Sequence, residues 1–387
     1  MRRSTEYIQT THTGSLPRPR HLAELVREYR GSAGTGEREF EAAVQHSVVE
    51  VVRRQREVGL TVVNDGEHSK ESFMGYRSSR LDGFELVDAA QAPPTLTFSS
   101  MEAADYPNFY EHWLGRGNVQ GGATKVLCCT GPVSWRPTAT DEVGRDVANL
   151  LRAAEGSGAT DVFMTALSPA CYAPPNLFYA DEDEYLTAIA DAMQLEFEAI
   201  VKAGLVLQID APDLGNTFRK RDYTLQELRT HMGRCVEVIN YATRDLPAES
   251  IRVHVCCGAD EAPHHRDIQL AEVADILMQL RPVGMTIVGA NGRHAHEWSA
   301  WKDIKVPDGK VIVPGVIDST TNIVEHPEAV AERIQQYASV LGRENVIAGV
   351  DCGFDTTLDM RQVDPEIAWA KLRSLTEGAA IASRALW

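Results

Sequence analysis

Short runs of β-forming residues alternate with longer amphipathic stretches along the whole chain. Such alternation is typical of a parallel α/β sheet or barrel, because each parallel strand needs a crossover connection to the next. Nine runs have the composition of strands: residues 8–12, 61–64, 125–129, 161–166, 205–210, 251–257, 285–288, 311–316 and 346–351. Nine is one more than an eight-stranded barrel takes.

The segments between these runs have helical periodicity, and the clearest are residues 41–58, 184–203, 269–280 and 326–341. Three of them end at or near a glycine, Gly59, Gly204 and Gly342, as helices commonly do. The repeated helix–glycine–strand unit predicts an α/β fold, a (β/α)8 TIM barrel, rather than a two-domain Rossmann enzyme. No composition shift or linker divides the chain, so we expect one domain over residues 1–387. Its active site should lie at the C-terminal face of the strands.

Charge and cysteine content exclude several classes of function. The 387 residues include 38 basic and 55 acidic side chains, a formal net charge of −17, which argues against a nucleic-acid or anionic-membrane partner. No apolar run reaches the roughly 18 residues of a membrane span, and none follows the N-terminal arginines, so we expect a cytoplasmic protein. The seven scattered cysteines predict free thiols or metal ligands rather than disulfides.

The most specific pattern for chemistry is His254-Val255-Cys256 at the end of a predicted strand. Residues i and i+2 of a strand point the same way, so the imidazole and the thiol share one side. Cys352, at the end of the last predicted strand, is a candidate third ligand. Two sulfurs and one nitrogen with an open fourth position are typical of catalytic zinc. The alternative is a buried cysteine and a hydrogen-bonded histidine in the core.

Two carboxylates, Glu67 and Asp210, also follow predicted strands. Each could bind a cationic amine or take part in a proton transfer. Each could instead cap the helix that follows the strand. The loop at residues 291–298 concentrates ionisable groups and is either part of the barrel mouth or a solvated turn.

Seven segments together resemble the cobalamin-independent methionine synthases, in the short single-barrel form that matches the C-terminal catalytic domain. They run in the family's order: Thr11-His12-Thr13-Gly14-Ser15-Leu16-Pro17-Arg18, Val63-Asn64-Asp65-Gly66-Glu67, Thr130-Gly131-Pro132-Val133, Leu207-Gln208-Ile209-Asp210-Ala211-Pro212, His254-Val255-Cys256, Pro314-Gly315-Val316-Ile317-Asp318 and Asp351-Cys352-Gly353. The resemblance spans nearly the whole chain and implies a (β/α)8 barrel.

The resemblance also implies a methyltransferase of methionine biosynthesis that binds homocysteine as a thiolate on zinc and methylates it from methyltetrahydrofolate. Zinc would lower the pKa of the thiol so that a nucleophile exists at neutral pH. The residues that match the family's zinc ligands are His254, Cys256 and Cys352. The residues that match its amino-acid-binding positions are Ser15, Glu67 and Asp210.

One departure from the family concerns the zinc ligands. The resemblance implies a fourth ligand, a glutamate, where this chain has Val288, and valine cannot bind a metal. Zinc would then keep three protein ligands, with water or substrate completing its shell. The alternative is that Cys257, His294 or Glu297 replaces the glutamate.

A second departure concerns the general acid that protonates the folate nitrogen as it leaves. The resemblance implies a histidine after Asp318, where this chain has Ser319-Thr320. His326 lies close by and either replaces that acid or begins the following helix. Since both departures remove functional groups, we expect ordinary methionine synthase activity to be weak or absent.

Two alternative functions remain open from the sequence. A less negative zinc site suits a stronger electrophile than methylfolate, as in epoxyalkane:coenzyme M transferases, so the donor could supply an alkyl group other than methyl. From another class, the chain could be a non-catalytic barrel that binds an amino acid. The expected partners are therefore a homocysteine-like thiol and a methyl or alkyl donor. The oligomeric state is open, with a homo-oligomer among the expectations.

Overall fold

A computed structural model describes residues 1–31, 36–93, 100–113, 125–215, 221–358 and 362–387. The strands of this part of the chain are β1 Val62–Val63, β2 Leu81–Asp88, β3 Lys125–Trp135, β4 Asp161–Leu167, β5 Val206–Asp210, β6 Ile251–Val255, β7 Gly284–Ile287, β8 Val311–Ile317 and β9 Gly349–Val350. The α-helices are α1 Arg20–Gly31, α2 Glu37–Glu57, α3 Tyr76–Arg80, α4 Ser100–Asp105, α5 Pro107–Trp113, α6 Pro137–Ala154, α7 Glu182–Lys202, α8 Leu225–Ala242, α9 Leu270–Leu277, α10 Pro327–Leu341 and α11 Pro365–Leu386.

Seven strands form one curled parallel sheet in the order β1-β4-β5-β6-β7-β8-β9. Every neighbouring pair in this sheet is parallel, so the α/β class predicted from the alternating pattern is confirmed. The predicted strand at residues 125–129 is not part of this parallel sheet. It is the first half of β3, which pairs antiparallel with β2 in a separate two-stranded sheet. In the parallel sheet β1 therefore pairs directly with β4.

The predicted strand at residues 8–12 forms a single bridge rather than a ladder. Thr10 pairs in parallel with Ala348, and its carbonyl accepts hydrogen bonds from the backbone N–H groups of Thr61 and Val62 at 3.3 and 3.0 Å. The N–H of Thr10 donates to the hydroxyl of Thr61 at 2.8 Å. A side chain thus takes the place of the backbone acceptor that a ladder would provide. The described residues thus show seven parallel strands, not the eight we predicted.

The helices agree with the predicted segments to within a few residues. Helices α2, α7, α9 and α10 correspond to the four periodic stretches. Gly59, Gly204 and Gly342 have φ of 95°, 83° and 82°, backbone conformations that glycine adopts at little cost. Each glycine lies just beyond the end of its helix, so the predicted helix ends are confirmed.

The helices pack on one face of the sheet. Leu207 and Ile209 of β5 and Ile189 and Met193 of α7 belong to the largest cluster of buried apolar side chains. The other face carries small apolar clusters packed against Met1, one of which includes Phe163. None of the described helices combines the length and the apolar composition that a membrane span needs.

Candidate metal centre and substrate cavity

Six predicted site residues line one cavity at the C-terminal ends of the parallel strands: Ser15, Glu67, Asp210, His254, Cys256 and Cys352. They come from four strand ends and from the segment before α1, and the parallel arrangement brings these ends together. About 490 Å3 of space between and in front of these residues is free of protein atoms, and part of it is open solvent. A larger groove beside α2 and α6 contains none of these six residues.

The candidate metal ligands converge in this cavity. One ligand atom from each of His254, Cys256 and Cys352 lies within 4.8 Å of the others, and all three residues are buried. The two sulfurs are 3.4 Å apart, although 96 residues separate them in the chain. Neither ring nitrogen of His254 has a hydrogen-bond partner within the described structure. A buried imidazole without partners beside two thiols fits a zinc ion.

Hydrogen bonding distributes charge unequally between the two thiols. The contact with Cys352, together with His254, holds the pKa of Cys256 well below its usual range. The same contact and burial raise the pKa of Cys352 well above its usual range. Burial alone would lower the pKa of His254, but Cys256 and Asp210 outweigh it and raise that pKa. Metal binding would replace the shared protons, since thiolate and neutral imidazole are the ligand forms.

Glu67 turns its carboxylate into the cavity from a strained backbone position. Its φ is 60°, in the left-handed region that few non-glycine residues occupy. The Thr165 hydroxyl donates to Oε1 at 3.1 Å, whereas the buried Oε2 has no partner within the described structure. A buried carboxylate oxygen without a donor is suited to a cationic ligand.

Asp210 ends β5 on the same cavity. Its Oδ1 accepts a hydrogen bond from the Gln208 amide at 2.7 Å. Burial and the negative charge of Glu67 raise the pKa of Asp210 to about 7. The N-cap residues of the helical segments that follow these strand ends are Gly75 and Ala211, so neither Glu67 nor Asp210 caps one of these segments.

Two glycines of the resembling segments make room for the site. A Cβ on Gly14 would collide with the Glu67 carboxylate, and a Cβ on Gly353 would collide with the Ser15 hydroxyl. Ser15 is further tied to the β9 end because its carbonyl accepts from the Phe354 N–H at 3.0 Å. The positions of Ser15 and Glu67 therefore depend on glycines from distant parts of the chain.

His326, our candidate general acid, lies away from this cavity. It is exposed and immediately precedes α10, where its Nδ1 accepts a hydrogen bond from the Glu328 N–H at 3.2 Å. The alternative role that we considered, beginning the helix, is the one that the structure shows. Ser319 and Thr320 are buried, but neither lines the cavity.

The candidate replacements for the fourth zinc ligand form a separate group. Cys257, His294 and Glu297 line a small pocket that lies apart from the cavity, and Val288 lines it too. Burial raises the pKa of the Cys257 thiol to about 11. The first cluster thus has three protein ligands within the described structure, with no fourth from this group.

Two aromatic residues that line the cavity, Phe73 and Tyr172, were not predicted from the sequence. Their rings meet edge to face with centroids 6.3 Å apart. Tyr172 has φ of 46°, so it shares with Glu67 a conformation that is rare outside glycine. The available signal for Tyr172 was its position five residues beyond the end of β4. The long connection between β4 and α7 does not let the sequence predict where that side chain points.

Comparison with known proteins agrees with this geometry. A methionine synthase of Sulfolobus acidocaldarius is 24% identical over 378 residues, which cover 97% of this chain and 92% of the relative. One from Saccharolobus solfataricus is 22% identical over 377 residues, covering 97% and 94%. The family model described as "Cobalamin-independent synthase, Catalytic domain" matches residues 8–93. The chain is therefore similar, over nearly its whole length, to the cobalamin-independent methionine synthases. The resemblance predicted from the sequence motifs is thereby confirmed.

The solved structures show the same fold for these synthases. A B12-independent methionine synthase from Shewanella sp. W3-18-1, in complex with selenomethionine, matches with a TM-score of 0.71 at 18% identity. The match covers 98% of this chain and 99% of the Shewanella chain. This chain therefore has the fold of the Shewanella methionine synthase over nearly its whole length.

Proposed function

We propose that the protein transfers a methyl or alkyl group to the sulfur of a homocysteine-like thiol, with zinc held by His254, Cys256 and Cys352. The observation that carries the proposal is the meeting of this ligand set with two carboxylates in one cavity. Zinc at these residues would stabilise the thiolate form of the substrate at neutral pH. The relatives named methionine synthase support this reaction class.

The carboxylates select the amino-acid end of the substrate. Among the described residues no group donates to the buried Oε2 of Glu67, and an ammonium group would supply a donor. Asp210 lines the same cavity and adds a second negative charge once it is ionised. Ser15 lines the wall beside Glu67 and offers a hydroxyl to the substrate carboxylate.

The same charges disfavour coenzyme M as the acceptor. The described residues that line the cavity include Glu67 and Asp210 but no lysine or arginine. A sulfonate placed there would face two buried carboxylates without a cation to offset them. Homocysteine, whose α-ammonium complements these groups, is therefore the acceptor that the geometry favours over the epoxyalkane:coenzyme M reaction.

Asp210 is the cavity residue best suited to hold a proton. Its pKa of about 7 leaves it partly protonated at neutral pH, and the arrival of an ammonium group would favour the ionised form. The proton released at Asp210 would pass to the departing group of the donor. His326 has no part in this proposal, because it caps α10 outside the cavity.

We also propose that the seven-stranded sheet and residues 8–12 form a complete (β/α)8 barrel in one domain spanning residues 1–387. The support is that Thr10 contacts both edges of the sheet, Ala348 on one side and Thr61 and Val62 on the other. The nearly full coverage by the Shewanella structure also supports it.

The test is a turnover screen on zinc-loaded protein. Homocysteine and coenzyme M are each paired with mono- and polyglutamylated methyltetrahydrofolate and with an epoxide, and thioether products are measured by mass spectrometry. We expect products from homocysteine, slow with methyltetrahydrofolate, and their loss in Cys352→Ser. Faster turnover of coenzyme M would contradict the role of the carboxylates. Zinc-replete protein that binds homocysteine but alkylates it with no donor would support the non-catalytic alternative.

A further inference from the structure

Cys257, Asp267 and His294 form a second buried cluster outside the cavity. One ligand atom from each, a sulfur, a carboxylate oxygen and a ring nitrogen, lies within 4.8 Å of the others. Consecutive residues at a strand end point to opposite sides. Cys256 accordingly faces the cavity, whereas Cys257 faces the small pocket lined by His294 and Glu297.

His294 is oriented as a metal-bound histidine is. Its Nδ1 lies 3.1 Å from Oε2 of Glu297, and Oε1 of Glu297 accepts from the Leu270 N–H at 2.8 Å. With the proton on Nδ1, the lone pair of Nε2 faces Oδ2 of Asp267 at 3.0 Å. Two acceptors at that distance require a proton or a cation between them. A carboxylate on the far nitrogen is the usual support of a metal-bound histidine.

Asp267 has a similar support. Its Oδ2 is 2.6 Å from Nδ1 of His264, whose Nε2 meets the Asp260 carbonyl at 3.0 Å. His264 has a left-handed φ of 53°, so the chain accepts backbone strain to keep this imidazole in place. Within the described chain, the three non-glycine residues with positive φ are Glu67, Tyr172 and His264, two at the cavity and one here.

We propose that Cys257, Asp267 and His294 bind a second zinc ion. Sulfur, nitrogen and oxygen ligands together suit zinc better than the harder calcium or magnesium ions. Zn²⁺ would take the place of two protons, one from the thiol and one from a doubly protonated His294, so the charge of the buried cluster stays the same. Both protons leave to solvent. The ion would link the loop after β6 to the loop after β7. Because Cys257 is adjacent to Cys256 in the chain, it would also restrict the position of Cys256.

The experiment is metal stoichiometry on the full chain, and it is independent of the proposed transfer reaction. Wild type and variants are loaded with zinc, freed of excess metal and analysed by mass spectrometry of the metal against protein concentration. Cys257→Ser and Asp267→Asn address the second cluster, and Cys256→Ser addresses the first. Cys128→Ser, a buried cysteine outside both clusters, is the matched control. Cobalt-substituted protein gives a thiolate charge-transfer band for each cluster as a second measurement.

We expect two zinc ions per chain in wild type and in Cys128→Ser. Cys257→Ser, Asp267→Asn and Cys256→Ser should each bind one, and the Cys256→Ser, Cys257→Ser double variant should bind none. One ion in wild type, or two in Cys257→Ser, would overturn the second site. If the variants do not fold, the wild-type count still decides the matter. A single ion in wild type that is lost in Cys256→Ser but kept in Cys257→Ser would support the first site and show the second cluster to be a metal-free ion-pair network.

Discussion

At the scale of single residues, Glu67 shows how hydrogen bonds hold a site residue in a strained backbone conformation. A non-glycine residue in the left-handed region costs about 1–3 kcal/mol. Hydrogen bonds of the turn offset part of this strain energy, because the Arg18 guanidinium donates to the Glu67 carbonyl at 2.8 Å. The Glu67 N–H in turn donates to Asp65 at 3.0 Å. A strained carboxylate held this firmly fits a binding role better than a purely structural one.

Replacing Glu67 should therefore weaken substrate binding more than it changes the fold. Glu67→Gln keeps the shape but removes the charge, and we expect homocysteine to bind roughly 1–3 kcal/mol more weakly to zinc-loaded protein. Isothermal titration calorimetry measures this. Glu71→Gln, an exposed residue of the same loop, is the control and should bind as wild type does. Equal affinities for both variants would assign Glu67 to the fold alone.

The raised pKa of Asp210 predicts a pH-dependent stability in zinc-free protein. Its folded-state pKa of about 7 lies above the usual value of 3.8, so the protonated form stabilises the fold at low pH. That contribution is lost as the pH rises through about 7, because the buried carboxyl must then ionise beside Glu67. Asp210→Asn avoids this ionisation. The Tm of Asp210→Asn minus the Tm of wild type should be a few degrees larger at alkaline than at acidic pH, as measured by calorimetry. A Tm difference independent of pH would contradict the assignment.

At the scale of elements, the ends of β7 and β9 are joined through one side chain. Oδ1 of Asp351 accepts hydrogen bonds from the Gly289 and Ala290 N–H groups at 2.8 and 2.9 Å, and Oδ2 accepts from Asn291 at 2.6 Å. A Cβ on Gly315 of β8 would collide with this carboxylate. Asp351 thus places the loop that carries His294 next to the strand end that carries Cys352.

Removing one acceptor from this junction should lower stability. Asp351→Asn points an amide donor at backbone donors, and we expect the free energy of unfolding to fall by roughly 1–3 kcal/mol in urea titrations. Asp308→Asn, at an exposed position, should change it by less than about 0.5 kcal/mol. An unchanged midpoint in Asp351→Asn would mean that the two loops are held without the carboxylate.

At the scale of the whole molecule, Arg252 connects distant parts of the sheet. Its side chain is fully buried and stacks 3.9 Å from the centre of the Phe163 ring. It donates to Gln208 at 2.8 Å, to the Thr11 hydroxyl at 3.1 Å and to the His12 carbonyl at 2.9 Å. Burial lowers its pKa to about 9. One side chain therefore links β4, β5 and β6 to the segment before α1.

Arg252→Leu should be among the most destabilising single substitutions in the chain. It leaves three buried acceptors without their donor, so we expect the free energy of unfolding to fall by roughly 2–5 kcal/mol. Arg20→Leu, whose side chain is 95% exposed, is the control and should change it little. A loss below about 1 kcal/mol would show that backbone pairing alone holds the N-terminal segment in place.

Local patterns in the sequence determined the fold class, the helices and much of the candidate site. Helix ends at Gly59, Gly204 and Gly342 follow from local backbone preferences, which a single sequence displays directly. The placing of His254 and Cys256 at one strand end follows from the two-residue period of a strand. Six candidate site residues could be named because each ends or follows a predicted strand and matches a motif of the resembling family.

Tertiary packing decided everything that depends on residues far apart in the chain. The strand pattern in the sequence does not specify which strand each one pairs with. Residues 125–129 were therefore predicted for the parallel sheet, whereas they pair with β2. The sequence left two roles open for His326, and the structure shows that it caps α10. The sequence also did not show that Cys257 and His294 meet in one pocket. These outcomes depend on the packing of whole elements, and the side-chain types at each position leave several such packings open.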